Sequence, residues 1–257
     1  MFKKKLKILC FADLHRIESD VLAIKEQDAW IKQLLANTNP DVIVIAGDTF
    51  ESDDCKNPYQ YLHELFDGIC VILTLGNHEF YGHTVPEVLK EYEDLYDPSR
   101  WNVHCLDIVH AYDIGKVHFF GNVLWYDGSM GTVPNQYIAD FANRRWEDFK
   151  ILGFNWENEC NKCFQNIKAN QPTEKQIGFL VTHCIPNKEL NAHLKFEHHN
   201  EYNVFSGVSW LLDEIRTDYA ICGHTHRSVN TIINGIHCIN IGNGHHPPFH
   251  SCFLEIE

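Results

Sequence analysis

The sequence predicts an α/β layered domain, and two observations carry that expectation. Five near-continuous apolar runs of strand length recur along its 257 residues, the pattern of strands buried on both faces. Segments with helical spacing stand between the runs through the first hundred residues, as when helices cover a sheet. The length suits one domain, residues 1–257, with room for an insertion.

The first run, Leu6 to Ala12, leads into Asp13. The preceding Met1-Phe2-Lys3-Lys4-Lys5 looks a little like the start of a secretory signal. The apolar run is short, however, it lacks a small-residue cleavage pattern, and Asp13 and His15 follow at once, so it reads as a buried strand. Val21 to Asn37 places Leu22, Trp30, Leu34 and Leu35 at three-and-four spacing and stops before Pro40, which predicts a helix. The second run, Val42 to Ala46, leads into Gly47-Asp48. The third, Cys70 to Leu75, leads into Gly76-Asn77-His78, with helices expected at Asn57 to Phe66 and Val85 to Tyr96.

Asp107 to Phe120 has a hairpin-like pattern. Ile177 to Thr182 leads into His183, Phe205 to Ile215 is expected to be helical, and Tyr219 to Cys222 leads into Gly223-His224. Val229 to Glu255 is again hairpin-like, with Asn234-Gly235 as a two-residue turn. Residues 127–173 differ from the rest. They are aromatic-rich and polar, with Arg144, Arg145, Trp146, Phe149 and Trp156, and are expected to form an insertion lying over the strand ends.

Composition narrows the function classes. An apolar content of 44% is ample for a core and argues against disorder. No stretch approaches the roughly 20 apolar residues of a membrane span. A net charge of -14 disfavours non-specific binding to nucleic acid or anionic membranes, while small anionic substrates stay open. The 10 cysteines sit in a chain too long for a disulfide scaffold. Cys10, Cys70, Cys184, Cys222 and Cys238 fall in or beside apolar runs, where free cysteine packs as a small hydrophobe. Cys160 and Cys163 lack a second such pair for a zinc site. Reduced thiols and the absence of a signal pattern together predict a cytoplasmic protein.

The five strand ends are where chemistry is expected. In an open α/β sheet, ligands bind outside the carboxyl ends of the strands. Each run delivers Asp, Asn or His there, and carboxylate, imidazole and amide oxygen suit borderline-to-hard cations. Asp13, His15, Asp48, Asn77, His183, His224 and His226 exceed what one tetrahedral ion uses. Two ions sharing a carboxylate accommodate all seven.

Asp13-Leu14-His15, Gly47-Asp48, Gly76-Asn77-His78-Glu79, His183 and Gly223-His224-Thr225-His226 together resemble, in order, the five motifs of calcineurin-like metallophosphoesterases. The resemblance implies a four-layer α/β/β/α sandwich of two mixed sheets flanked by helices. It also implies a phosphoesterase acting through two metal ions, Mn, Fe, Zn or Ni, by in-line attack of metal-activated hydroxide. By position, Asp13, His15 and His226 would hold one ion, Asn77, His183 and His224 the other, and Asp48 would bridge. His78 would be the catalytic residue, stabilising the transition state or protonating the leaving group. Glu79 would orient a neighbouring histidine.

Departures from better-known branches bear on substrate. Gly47-Asp48-Thr49-Phe50-Glu51-Ser52 lacks the arginine of the protein serine/threonine phosphatases and the tyrosine of the purple acid phosphatases. Arg16 is the candidate phosphate grip, with Arg144 or Arg145 as others. Trp125 and Tyr126 would stack on a base or fill the core, and His198, His199, His245 and His246 read as solvated loop histidines, of which one is open to substrate contact. The expected substrate is a small phosphate mono- or diester. A nuclease acting on short nucleic acid is the alternative, and a non-catalytic interaction module is disfavoured by the complete ligand set. Oligomeric state is left open.

Overall fold

Alternation at single-residue spacing organises the first two strands. In β1 (Leu6–Phe11) and the residue after it, Ile8, Cys10 and Ala12 join one apolar cluster while Leu9 and Phe11 join another. β2 (Val42–Ala46) divides the same way, with Val42, Val44 and Ala46 opposed to Ile43 and Ile45. Successive strand side chains point to opposite faces, so runs this apolar need cover on both. The computed structural model describes residues 5–17, 20–51, 55–131, 146–191, 203–244 and 248–257. It covers one face of β1 and β2 with a second sheet and the other with helices.

The first sheet has the order β11-β1-β2-β3-β4, with β3 (Cys70–Thr74), β4 (Val103–Cys105) and β11 (Cys252–Ile256). β1 to β4 run parallel, and β11 closes the edge antiparallel to β1. The second sheet comprises β5 (Ala111–Ile114), β6 (Val117–Asn122), β7 (Ile177–Thr182), β8 (Tyr219–Cys222), β9 (Val229–Ile233) and β10 (Ile236–Asn240), ordered β5-β6-β7-β8-β10-β9. Its inner steps are parallel and its two edge pairings antiparallel. Phe119, Phe179, Val181 and Ile221 of this sheet meet Ile8, Val44 and Ile72 of the first in one buried cluster between the sheets.

The helices are α1 (Val21–Thr38), α2 (Pro58–Leu65), α3 (Val85–Leu95), the single turn α4 (Leu106–Val109), α5 (Trp156–Ala169) and the single turn α6 (Leu211–Glu214); all but α4, which contacts both sheets, lie on the outer faces. Trp30 of α1 packs edge-on against Phe11, and α5 lies against β6. The result is the expected four-layer α/β/β/α sandwich of two mixed sheets flanked by helices. α1 is capped by Asp20, whose side chain accepts from Ala23 N–H, and ends at Asn39, with φ of 43°, ahead of Pro40. Asn234 and Gly235 both take positive φ, as a two-residue hairpin turn between β9 and β10 requires.

Three expectations are corrected. Phe205 to Ile215 is helical only over α6. Its first half bridges instead to the segment after β7, with Ile185 opposite Gly207, and a side chain at Gly207 would strike Ile185 O at 2.1 Å. Its apolar spacing therefore reflects burial in the core. The stretch Val229 to Glu255 does not stay together, because β9 and β10 form a hairpin while β11 joins the other sheet. The hairpin before it starts at Ala111, since Asp107 belongs to α4. There Asp107 Oδ2 accepts from Leu75 N–H and Oδ1 from Val123 N–H, each at 2.8 Å, tying the ends of β3 and β6 across the two sheets.

None of the ten cysteines forms a disulfide. Among the described residues no helix is long and apolar enough to cross a membrane. Trp125 and Tyr126 are core residues, each at most 1% exposed. Arg144, Arg145, His198, His199, His245, His246 and the middle of the expected insertion lie outside the described residues.

Candidate metal centre

The loops after β1 and β2 are zipped together before any side chain is considered. Asp13 N–H donates to Gly47 O, His15 N–H to Asp48 O and Arg16 N–H to Thr49 O, at 2.9–3.0 Å. Five of the seven predicted ligands hold left-handed backbone: Asp13 at φ 52°, His15 at 44°, Asp48 at 49°, His224 at 72° and His226 at 51°. Non-glycine residues rarely adopt this region, and such strain concentrates at functional sites. The glycines ahead of Asp48 and Asn77 make close approach possible. A Cβ on Gly47 would meet the His183 ring at 2.3 Å, and one on Gly76 would meet Asp48 Oδ1 at 2.0 Å.

All seven predicted residues converge. Ligand atoms of Asp13, His15, Asp48 and His226 lie within 4.8 Å of one another, as do those of Asp48, His183 and His224. Asp48 belongs to both groups. Asn77 Oδ1 joins the second, 2.9 Å from His183 Nε2 and 3.1 Å from His224 Nδ1. The first sheet supplies Asp13, His15, Asp48 and Asn77, and the second supplies His183, His224 and His226.

Hydrogen bonds turn the donor atoms inward. Asp13 Oδ1 accepts from His224 N–H at 2.7 Å, leaving a buried Oδ2 without a hydrogen-bond partner. Asp48 Oδ1 accepts from His78 N–H at 3.0 Å, so Oδ2 faces the imidazoles, 3.2 Å from His183 Nε2 and 3.7 Å from His15 Nε2. His183 Nδ1 meets Ala46 O at 2.9 Å, His224 Nε2 meets Phe205 O at 2.9 Å, and His15 Nδ1 meets Glu51 Oε1 at 3.0 Å. Each of these oxygens accepts only, so the ring proton sits there and the other nitrogen points inward as a lone pair.

Among these inward atoms, His183 Nε2 and His224 Nδ1 are acceptors that face each other. His15 Nε2 lies 3.1 Å from His226 Nε2, and His183 Nε2 lies 3.2 Å from His224 Nδ1. Such a set is unfavourable unless protons or cations stand between its members. An octahedron with bonds of about 2.1 Å has an edge of about 3 Å, so the spacing fits a coordination shell. Nitrogen and oxygen donors without thiolate suit Mn, Fe, Zn or Ni.

The charges of the polypeptide alone fit this picture. Burial disfavours a charged His183, but Asp48 and Asp13 outweigh it and raise its pKa to about 10. Burial and the neighbouring His183 hold His224 down at about 4. Burial lifts Asp13 to about 6 against the pull of His183.

Two residues have roles that the sequence did not indicate. Glu51 bonds His15 through Oε1 and His78 Nδ1 through Oε2, the latter at 2.8 Å. Burial opposes its ionisation, yet these two bonds hold its carboxyl at about 2. Burial likewise disfavours the His78 imidazolium, but Asp48 and Glu51 raise it to about 9. A carboxylate three residues past a strand-end Asp was the only available sign of Glu51. Asp148, in the turn Glu147–Lys150, accepts from Asn77 Nδ2 at 2.7 Å, and its sequence position carries no comparable sign.

Glu79 differs from its expected role. Among the described residues it bonds no histidine, and instead accepts from the backbone N–H of Thr49, Phe50 and Gly76, fastening the two ligand loops together. Arg16 is also displaced. Its guanidinium, 2% exposed, is turned to Gln27 and Asp28 of α1 and Tyr61 of α2 and does not serve the centre as a phosphate grip.

Among curated proteins, none matches the sequence. Solved structures similar to this one include phosphopantetheinyl hydrolase from Mycobacterium tuberculosis, with a TM-score of 0.69 at 16% identity over 93% of this chain and 90% of that one. A dimetal phosphatase from Danio rerio gives 0.53 at 14% over 98% and 92%, and TT1561 of Thermus thermophilus gives 0.51 at 12% over 93% and 90%. At these identities they establish the fold alone. The calcineurin-like phosphoesterase family model matches residues 6–228, most of the chain. The chain belongs to the calcineurin-like phosphoesterase family.

Proposed function

We propose that this chain is a two-metal phosphohydrolase acting on small phosphate mono- or diesters. The observation that carries the reading is the position of Asp48 in both groups of inward-facing donors. Asp13, His15 and His226 would hold one cation, Asn77, His183 and His224 the other, with Asp48 between them. When bound, the pair supplies Lewis-acid polarisation of the phosphoryl group and lowers the pKa of water.

His78 differs in access from the ligands His15 and His183. Its side chain is 20% exposed, whereas those of His15 and His183 are fully buried. Glu51 takes the proton on Nδ1, and Nε2 lies 3.8 Å from Asp48 Oδ2, beside the shared carboxylate. A cationic imidazole there offers its Nε2 proton to the leaving oxygen or a charged hydrogen bond to the phosphoryl oxygens. The whole chain forms one domain around this site. The substrate is a small anion met without a membrane, consistent with the net charge of -14.

The reading is tested by adding Mn, Fe, Zn, Ni or Mg singly to chelator-stripped protein. Hydrolysis of p-nitrophenyl phosphate and bis-(p-nitrophenyl) phosphate is then measured, with a phosphopantetheinyl ester as a third substrate suggested by the Mycobacterium tuberculosis neighbour. Metal-restored turnover supports the reading, and the diester-to-monoester ratio chooses between the two classes. Two bound ions with no turnover on any ester would overturn it.

A further inference from the structure

Asp148 stands 71 positions beyond Asn77 in the chain and is 1% exposed. Four donors meet its carboxylate. Asn77 Nδ2 at 2.7 Å and Tyr81 OH at 2.9 Å reach Oδ1, while Tyr126 OH at 3.0 Å and Trp146 Nε1 at 2.8 Å reach Oδ2. A carboxylate that receives only donors dictates which end of an amide faces it. The second hydrogen of Asn77 Nδ2 goes to Tyr81 OH at 2.7 Å. With both hydrogens committed, Asn77 Oδ1 is left facing His183 and His224.

The same short segment reaches a second donor. The Trp146 ring stacks on Phe205, with centroids 4.9 Å apart and planes 21° apart. The Phe205 carbonyl is the oxygen that accepts from His224 Nε2–H. Asn77 and His224, two of the three neighbours of His183 in the second group, are therefore supported from residues 146–148, while no hydrogen bond described for Asp148 involves Asp13, His15, Asp48 or His226.

We infer that Asp148 is a positioning residue for the second cation, acting through the Asn77 amide, and that the first cation binds independently of it. The inference rests on the two-cation reading above. Groups behind metal ligands typically contribute about 10–100-fold in affinity.

The test is calorimetric titration of the chelator-stripped full chain with Mn(II), resolved into equivalents. Wild type is expected to bind two; fewer would overturn the two-cation reading and this inference with it. Asp148→Asn turns a mixed donor and acceptor towards the Asn77 amide and is expected to weaken the second equivalent about 10–100-fold, leaving the first unchanged. Tyr126→Phe removes a hydrogen bond from the same carboxylate without touching Asn77, and both equivalents should stay at wild-type affinity. Should Asp148→Asn not fold, Tyr81→Phe frees one hydrogen of the Asn77 amide and is expected to weaken the second equivalent alone. Unchanged binding in the folded variant, equal weakening of both equivalents, or an equal loss in Tyr126→Phe would overturn the assignment.

Discussion

Glu51 Oε2 lies 2.8 Å from His78 Nδ1, and this contact joins the catalytic candidate to the metal centre because the other oxygen of the same carboxylate holds His15. Glu51→Gln keeps the shape but removes the charge and can accept at only one of the two positions. Turnover of p-nitrophenyl phosphate is expected to fall about 10–100-fold. The imidazolium of His78 also loses a stabilising anion, so the alkaline limb of the pH–rate profile moves to lower pH. An alkaline limb that stays in place would detach His78 from Glu51.

His78 and Asp48 should separate chemistry from metal binding. His78→Ala leaves every inward-facing donor present, so metal content measured by mass spectrometry is expected to match wild type. The maximal rate should drop about 100-fold or more, and most for esters with poor leaving groups. Asp48→Asn removes the shared charge and should lower metal content and activity together. Full activity in Asp48→Asn would refute the shared-carboxylate assignment.

Metal binding is expected to release protons. His183 holds its proton up to about 10 because Asp48 and Asp13 outweigh its burial, whereas a cation requires the neutral ring. Below that pH the cation displaces a proton, so affinity rises with pH through neutrality, by up to about tenfold per unit for each proton released. Calorimetry at pH 7 in buffers of different ionisation enthalpy should report about one proton or more per filled centre. A buffer-independent heat would contradict the assignment.

Gly76→Ala should act as a ligand mutation although glycine binds nothing. Its new methyl would stand 2.0 Å from Asp48 Oδ1 and 2.3 Å from Asp48 N. Relief requires Asp48 or its loop to shift, at a cost of about 1–3 kcal/mol. Metal analysis and thermal denaturation should show loss of bound metal along with a lower midpoint; wild-type metal content would show that the loop yields elsewhere.

Much of this arrangement was legible in the chain itself, for a physical reason. Buried parallel strands are nearly all apolar, so Asp13, Asp48, Asn77, His183 and His224 stand out where each strand ends, and the sheets then gather those ends. What lay beyond reach depended on direction. Arg16 adjoins His15, yet its guanidinium is carried to α1 and α2, and nothing in its sequence position reports this. Asp148 is distant in sequence and lies in a short irregular turn, where no periodicity predicts what it faces. Phe205 to Ile215 has helical spacing because it is buried, and its bridge to Ile185 overrides that propensity.

The seven inward-facing residues are drawn from both sheets, so a filled centre would act as a rivet through the middle of the sandwich. Cations bound only by the folded chain add about 2.7 kcal/mol of stability at a hundred times their dissociation constant. A cell short of the metal would thus lose more than catalytic turnover. The sheets would part more readily and the chain would reach proteases sooner, making the abundance of this protein a readout of metal supply.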